Sequence, residues 1–196
     1  MKYLFALIFI SAFYGGFSQT KPDSVLANHI KEMFKADQQW RREYIKLQNK
    51  KSDYNDAAIT VNEERADSLN LAMAKKIIAK FGYPGYNLVG EDGSNRFWAI
   101  VQHCDDDVPF QQLVLKLMYK QVLRKNASGE NYAYLQDRVL VNGHEKQLYG
   151  TQLRYNPASR KSHPFPIKDS LHVNDRRRQM GMGTLAEYIN MNDSHH

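Results

Sequence analysis

From residue 24 to about 49, large or apolar residues recur as Leu26, Ile30, Met33, Trp40, Tyr44 and Leu47. Spacings of four and three put them on one face, so the stretch reads as a long amphipathic helix. Where the pattern calls for an apolar residue at 37, Asp37 stands instead, and Arg41 follows one turn later on the same side. The plain reading is a half-exposed ion pair within one helix. Residues 50–58 are polar and interrupt the pattern. A second helix is expected over about 62–80, with rows Leu69/Met73/Ile77 and Leu71/Ala74/Ile78, stopped by Gly82 and Pro84. Ser94 is expected to cap a third, short helix over 95–104 whose Phe97, Trp98, Ile100, Val101 and Cys104 are core-like, yet which carries Gln102 and His103 at its end.

The acidic triplet Asp105–Asp107 reads most simply as the N-cap of a fourth helix running from Pro109 to about 125. Residues 131–141 fit either a helix or one arm of a hairpin turning at Asn142-Gly143. Hairpin register would set Leu140 opposite Glu145, so the helix is preferred. From 146 the period becomes two, with Tyr149, Thr151, Leu153 and Tyr155 on one side and Gly150, Gln152 and Arg154 on the other. Residues 163–167, broken by Pro164 and Pro166, can return only as an edge strand. A basic turn follows at Arg176–Arg178, and Thr184 with Glu187 forms a capping box for a last helix ending near Asn190. The fold class is therefore α+β, predominantly α: one helical domain over 24–190 with a small antiparallel ribbon near 146–168.

The amino end changes the setting. Lys2, the apolar run from Tyr3 to Tyr14 and the small residues Gly16 and Ser18 read as a signal peptide over 1–18, with cleavage near Ser18 and a linker over 19–23. Export to the periplasm or beyond is expected, with no membrane span in the mature chain and a flexible tail over 191–196. The 196 residues carry 27 Lys+Arg against 21 Asp+Glu, a net charge of +6, and a single cysteine. One cysteine excludes a disulfide scaffold or a Cys-rich metal domain. The basic residues are scattered as separated pairs, which argues against a nucleic-acid binder. No phosphate loop, dinucleotide fingerprint, zincin helix or nucleophile elbow is present.

The candidate chemistry lies in polar residues that interrupt apolar patterns: Asp37 and Arg41, Gln102 and His103, Asp137 and Arg138, and Gln152. Buried charges need partners, and the economical arrangement gathers them into one pocket. In that reading His103 is the acid/base, oriented by Asp37 or Asp137. Arg138 or Arg178 holds an anionic or carbonyl oxygen, and Gln102, Gln152, Arg41 and Tyr149 supply further contacts. His103 and Asp105 form only a weak H-x-D metal pair without a third ligand at a diagnostic interval, so no metal or cofactor is expected. Cys104 reads as a buried structural thiol.

These residues also carry a likeness. D-Q-x-x-R (Asp37, Gln38, Arg41), G-x-P (Gly82, Pro84), Q-H-x-D (Gln102, His103, Asp105), D-R (Asp137, Arg138) and Y-G-T-Q (Tyr149–Gln152), with Arg177, Arg178, Gly181 and Tyr188, resemble the bacterial family catalogued as domain of unknown function 6624. The familiar pattern often has Trp at the position of Tyr83 and a small residue at that of Cys104. The resemblance implies one domain and a shared site, with no established activity. Two expectations stand: an acid/base hydrolase or transferase acting on a small anionic or carbonyl substrate, or a non-catalytic envelope module binding peptide or glycan through Tyr83, Tyr86 and Tyr155. The partner is then a small molecule or an envelope component.

Overall fold

The computed structural model describes residues 22–194, so the expected signal peptide, most of the linker and the terminal His195-His196 lie outside the described residues. The first helix, α1, spans Ser24–Gln48 and opens on Asp23, whose carboxylate accepts from the N–H groups of Val25 and Leu26 at 3.0 and 2.9 Å. Its buried row is Leu26, Ile30, Met33 and Asp37. The apolar stripe does not skip position 37; the carboxylate occupies it, 1% exposed. Beyond it α1 leaves the core, and Tyr44 and Ile45 face solvent.

The second helix, α2, spans Asp56–Phe81, starting earlier than its hydrophobic rows suggest. Asn55 caps it through the N–H of Ala58; Ile59 is buried, but beyond it the first half of α2 meets α1 through Glu63 and Asp67 on Arg41. Helical periodicity is invisible where the contact is polar. Leu69 is correspondingly exposed, whereas Asn70 is buried and donates to the carbonyl of Met33 at 3.2 Å, tying α2 to α1.

The third helix, α3, spans Tyr86–Gln102 and is broken at Gly90, whose φ of 74° no β-carbon-bearing residue adopts comfortably. Ser94 is therefore not a cap but a buried residue within the helix. Phe97, Ile100 and Val101 are wrapped by α1, α2, α4 and α5, and with Ile30, Val114, Met118 and Leu135 they make the main core. Truncating a side chain such as Phe97 in a close-packed interior costs about 3–5 kcal/mol.

The fourth helix, α4 (Val108–Leu123), is capped by Asp107 alone, through the N–H of Phe110 at 2.9 Å. The fifth, α5, spans Gly129–Asn142 with Ser128 as cap, which decides for the helix over the hairpin. Residues 143–152 form a loop. Antiparallel pairing starts only at β1 (Leu153–Asn156), which meets β2 (Lys161–Pro164) with Leu153 opposite Pro164. Two short helices close the chain, α6 (Val173–Gln179) and α7 (Leu185–Asp193), the latter with the expected Thr184/Glu187 capping box. No helix among the described residues is long and apolar enough to cross a membrane.

Candidate functional site

α3 ends at His103, whose N–H still bonds the carbonyl of Ile100 at 3.1 Å while its φ and ψ of −97° and 7° turn the backbone out of the helix. That exit separates the Q-H-x-D residues. Gln102 stays on the helix, His103 points back to α1, and Asp105 swings toward α5. His103 Nδ1 meets Asp37 Oδ1 at 2.8 Å across 66 residues of sequence. The other carboxylate oxygen of Asp37 accepts from Gln38 Nε2 at 2.7 Å. Arg41 adds a charge contact at 3.4 Å and donates to the backbone carbonyl of Asp37 at 2.8 Å. Both oxygens are thereby fixed, and with them the orientation of the imidazole. His103 Nε2 has no partner among the described residues, and the side chain is 23% exposed.

Arg41 is itself clamped. Its guanidinium makes a bidentate pair with Asp67 on α2 at 2.8–3.1 Å and reaches Glu63 at 3.5 Å. Burial works against its charge, but Asp67, Asp37 and Glu63 outweigh that and hold its pKa above the ordinary value. A second pair lies beside the first. Arg138 on α5 grips Asp105 with Nε at 2.9 Å and with Nη2, and Asn142 and Gln111 also donate to Asp105 at 2.9 and 3.2 Å. Burial alone would raise the Asp105 carboxyl; the hydrogen bonds and charge of Arg138 reverse this and hold it below its usual value. Asp105 is thus an ion-pair partner, not a cap, and Arg138 keeps Nη1 free of protein partners among the described residues.

A model of a family of unknown function, DUF6624, matches residues 24–196. The chain belongs to the DUF6624 family. No curated protein and no solved structure matches it. The family motifs map onto two uses of the same fold. In this member of DUF6624 the motifs D-Q-x-x-R and Q-H-x-D, with Arg138 of D-R, build the pair of ion contacts just described, whereas Asp137 of D-R and Y-G-T-Q build a loop anchor.

That anchor overturns several expectations. Asp137, 0% exposed, does not touch His103; it accepts from the N–H groups of Leu148, Tyr149 and Thr151 and from the Thr151 hydroxyl at 2.7–3.1 Å. Its neighbour on α5, Arg138, leaves the helix on a different face, because adjacent helical residues diverge by about 100°, and reaches Asp105 instead. The 147–152 segment cannot run as a strand, because Gly150 has φ of 72° and three N–H groups turn into one carboxylate. Tyr149 is buried against Ala133 and Met182, away from the site, with its hydroxyl pushed up to about 12 by burial. Arg178 is exposed and paired with Asp175, so it holds nothing at the site. Its neighbour Arg177 is the buried one, donating to the carbonyls of Gly183 and Tyr149 and lying over the ring of Tyr188. Tyr83 is buried too and cannot contribute to an exposed aromatic patch.

Two cavities meet at His103 and Arg138. One, near 370 Å³, lies between α1, α2 and the 103–106 turn and is acidic, lined by Glu63, Glu64, Asp67, Asp105 and Asp106 with Arg41. The other, near 420 Å³, is walled by Phe34, Trp98 and Tyr134 and carries the carboxamides of Gln38, Gln102 and Gln152. Of the expected residues, the structure brings Asp37, Arg41, Gln102, His103, Arg138 and Gln152 to one cleft, and leaves Asp137, Tyr149 and Arg178 outside it. Cys104 borders the acidic side but is buried, its thiol directed to the Ile100 carbonyl and pushed up to about 12 by desolvation and nearby carboxylates. Among the described residues no three His, Cys, Asp or Glu side chains are grouped to hold a metal ion. Sequence reasoning gave no role to Asp67 or Gln38. The run Glu63, Glu64, Asp67, two of which meet Arg41, was the available signal, and it was masked by the missing helical periodicity of α2.

Proposed function

We propose that this chain is an exported acid/base enzyme, a hydrolase or transferase acting on a small carbonyl-containing molecule bound across the two cavities. The observation that carries this reading is the Asp37–His103 pair. A buried carboxylate held by two further contacts, from Gln38 and Arg41, fixes the imidazole through Nδ1, and the other ring nitrogen opens on a cleft. Such an arrangement sets the tautomer in which Nε2 accepts a proton, and the carboxylate then stabilises the imidazolium. Nε2 takes the proton of an attacking water or hydroxyl as the oxygen bonds to the carbonyl carbon, and returns it to the departing group as that bond breaks. Arg138 Nη1 is placed to steady the oxygen on which charge develops. A carbonyl substrate is favoured over an anionic one, because both arginines at the cleft are already paired with carboxylates and the acidic side carries more carboxylates than guanidiniums.

The test is a panel of small esters, amides and lactones assayed with the wild type and with His103→Gln. Turnover should fall about 10²–10⁴-fold in the variant. A wild type inactive on every compound, combined with a His103→Gln stability loss of about 2 kcal/mol or more, would assign the pair to the fold instead. Export is checked separately by mass spectrometry of protein recovered from the envelope of expressing cells, which should begin at Gln19.

A further inference from the structure

The 420 Å³ cavity carries polar side chains yet holds no carboxylate in its lining, and its three glutamines differ in how they are used. Gln38 donates through Nε2 to Asp37, and Gln152 donates through Nε2 to the Thr151 hydroxyl at 3.2 Å. In both, one N–H is taken up by the protein and the carbonyl oxygen is left without a partner among the described residues. Gln102 is more unusual. It is only 9% exposed, lines the cavity, and its Oε1 is sealed from solvent without a hydrogen-bond donor. Leaving such an acceptor unmet costs about 1–3 kcal/mol, and a leucine at this helix position would avoid it. The terminal torsion of a glutamine is broad and two-fold, so a turn of the carboxamide brings either end to the cavity.

The cavity therefore offers the unpartnered oxygens of Gln38 and Gln152, joined by that of Gln102 once its carboxamide turns, and the free Nη1 of Arg138 as donor, between the rings of Phe34, Trp98 and Tyr134. A ligand that matches it is flat, uncharged, and carries an N–H donor next to a carbonyl acceptor. We infer that the Gln38/Gln102/Gln152 cavity is a binding site for a secondary amide, held by its N–H on the glutamine oxygens and by its carbonyl oxygen on Arg138. This names the substrate class for the enzyme reading above and rests on it for the orientation of the carbonyl. An amide plane fits between aromatic walls, whereas a polyol would need donors and acceptors around its whole rim. Secondary amides occur both in peptides and in N-acetylated sugars, and the cavity chemistry is common to the two.

The experiment is titration of ¹⁵N-labelled protein, followed through the glutamine side-chain NH₂ signals. N-methylacetamide should shift the Gln102 signal, and methyl acetate, in which oxygen replaces the N–H, should not. Gln102→Leu should weaken N-methylacetamide binding about tenfold or more while raising the melting temperature, since it removes an unmet polar group. Gln152→Met, a change at a less buried position, should weaken binding in the same direction. A capped alanine, N-acetylalanine methylamide, and N-acetylglucosamine then separate the two sources by which binds more tightly. Equal shifts from the amide and the ester, a response to glucose alone, or full binding by Gln102→Leu would each overturn the inference. His103→Ala should keep amide binding. If it does while no amide or ester is ever turned over, the acid/base reading fails and the amide site stands. Turnover of esters without any amide binding has the opposite meaning.

Discussion

Asp37 and Asp137 are almost equally buried, and each breaks an apolar helical row, yet the fold uses them in different ways. Asp137 is closed on itself: three backbone N–H groups and a hydroxyl from the 148–151 loop consume its acceptors, and nothing is left to act on a ligand. Asp37 is satisfied by side chains, and one of them, His103, carries its far nitrogen to a cleft. A carboxylate answered by backbone shapes the fold; one answered by a titratable ring passes its influence outward. Burial of a charge marks both kinds of site equally, and only the identity of the donors tells them apart.

The largest effect that tests this contrast is expected from Asp137→Ala. With four donors left unmet, urea unfolding should show a loss of about 4 kcal/mol or more, together with disorder of the 147–152 loop. A loss under about 1 kcal/mol would show that water replaces the carboxylate and that the loop is not anchored there. Asp37→Asn should be milder for the fold, about 1–2 kcal/mol, because Gln38 and Arg41 retain other contacts or solvent. Its mark should instead be a changed His103 tautomer in ¹⁵N NMR spectra. An unchanged tautomer would remove Asp37 as the orienting group.

A smaller effect is expected from acid titration of the neighbouring pair. Asp105 has its carboxyl held below the usual range by Arg138, so its contribution is present above the ordinary aspartate pKa and is lost as pH falls through the depressed value. Asp105→Asn should therefore flatten part of the acid limb of the stability curve, and an unaltered limb would mean that the pair is screened by solvent. Cys104 behaves oppositely at the alkaline end. Its thiol is pushed up to about 12, so stability is full below about 8.5 and declines as pH rises toward that value, with slow reaction toward thiol reagents at neutral pH. The least change is expected from Arg178→Ala, within about 0.5 kcal/mol, against a marked loss for Arg177→Ala; similar losses would mean that the basic turn works as a unit.

Those comparisons also mark how far the protein could be read without its structure. The seven helices among the described residues were legible wherever an apolar row or a cap marked them: α1, α4, α5 and α7 fall close to their expected places. The beginnings of α2 and α3 were not. Polar contacts with Arg41 conceal the first, and Gly90 breaks the second at a point where a cap at Ser94 looked reasonable. For the site, His103, Asp37, Arg41, Arg138, Gln102 and Gln152 stood out because each interrupts an apolar pattern. Asp137 and Tyr149 stood out for equally good local reasons and turned out to hold a loop.

The sequence by itself determined most of the helices, the caps before α4 and α7, the short ribbon and the set of polar residues in need of partners. Those properties depend on neighbours within a turn or two, where backbone geometry is already specified. Tertiary structure alone decided who pairs with whom. Asp37 could have been answered by Arg41 on its own helix, but α3 ends against α1 and delivers His103 from 66 residues away. Asp105 could have capped α4, but Asp107 did so and released it to Arg138. Hydrogen-bond partners are chosen by three-dimensional proximity and by which donors remain unmet, and neither quantity is written along the sequence.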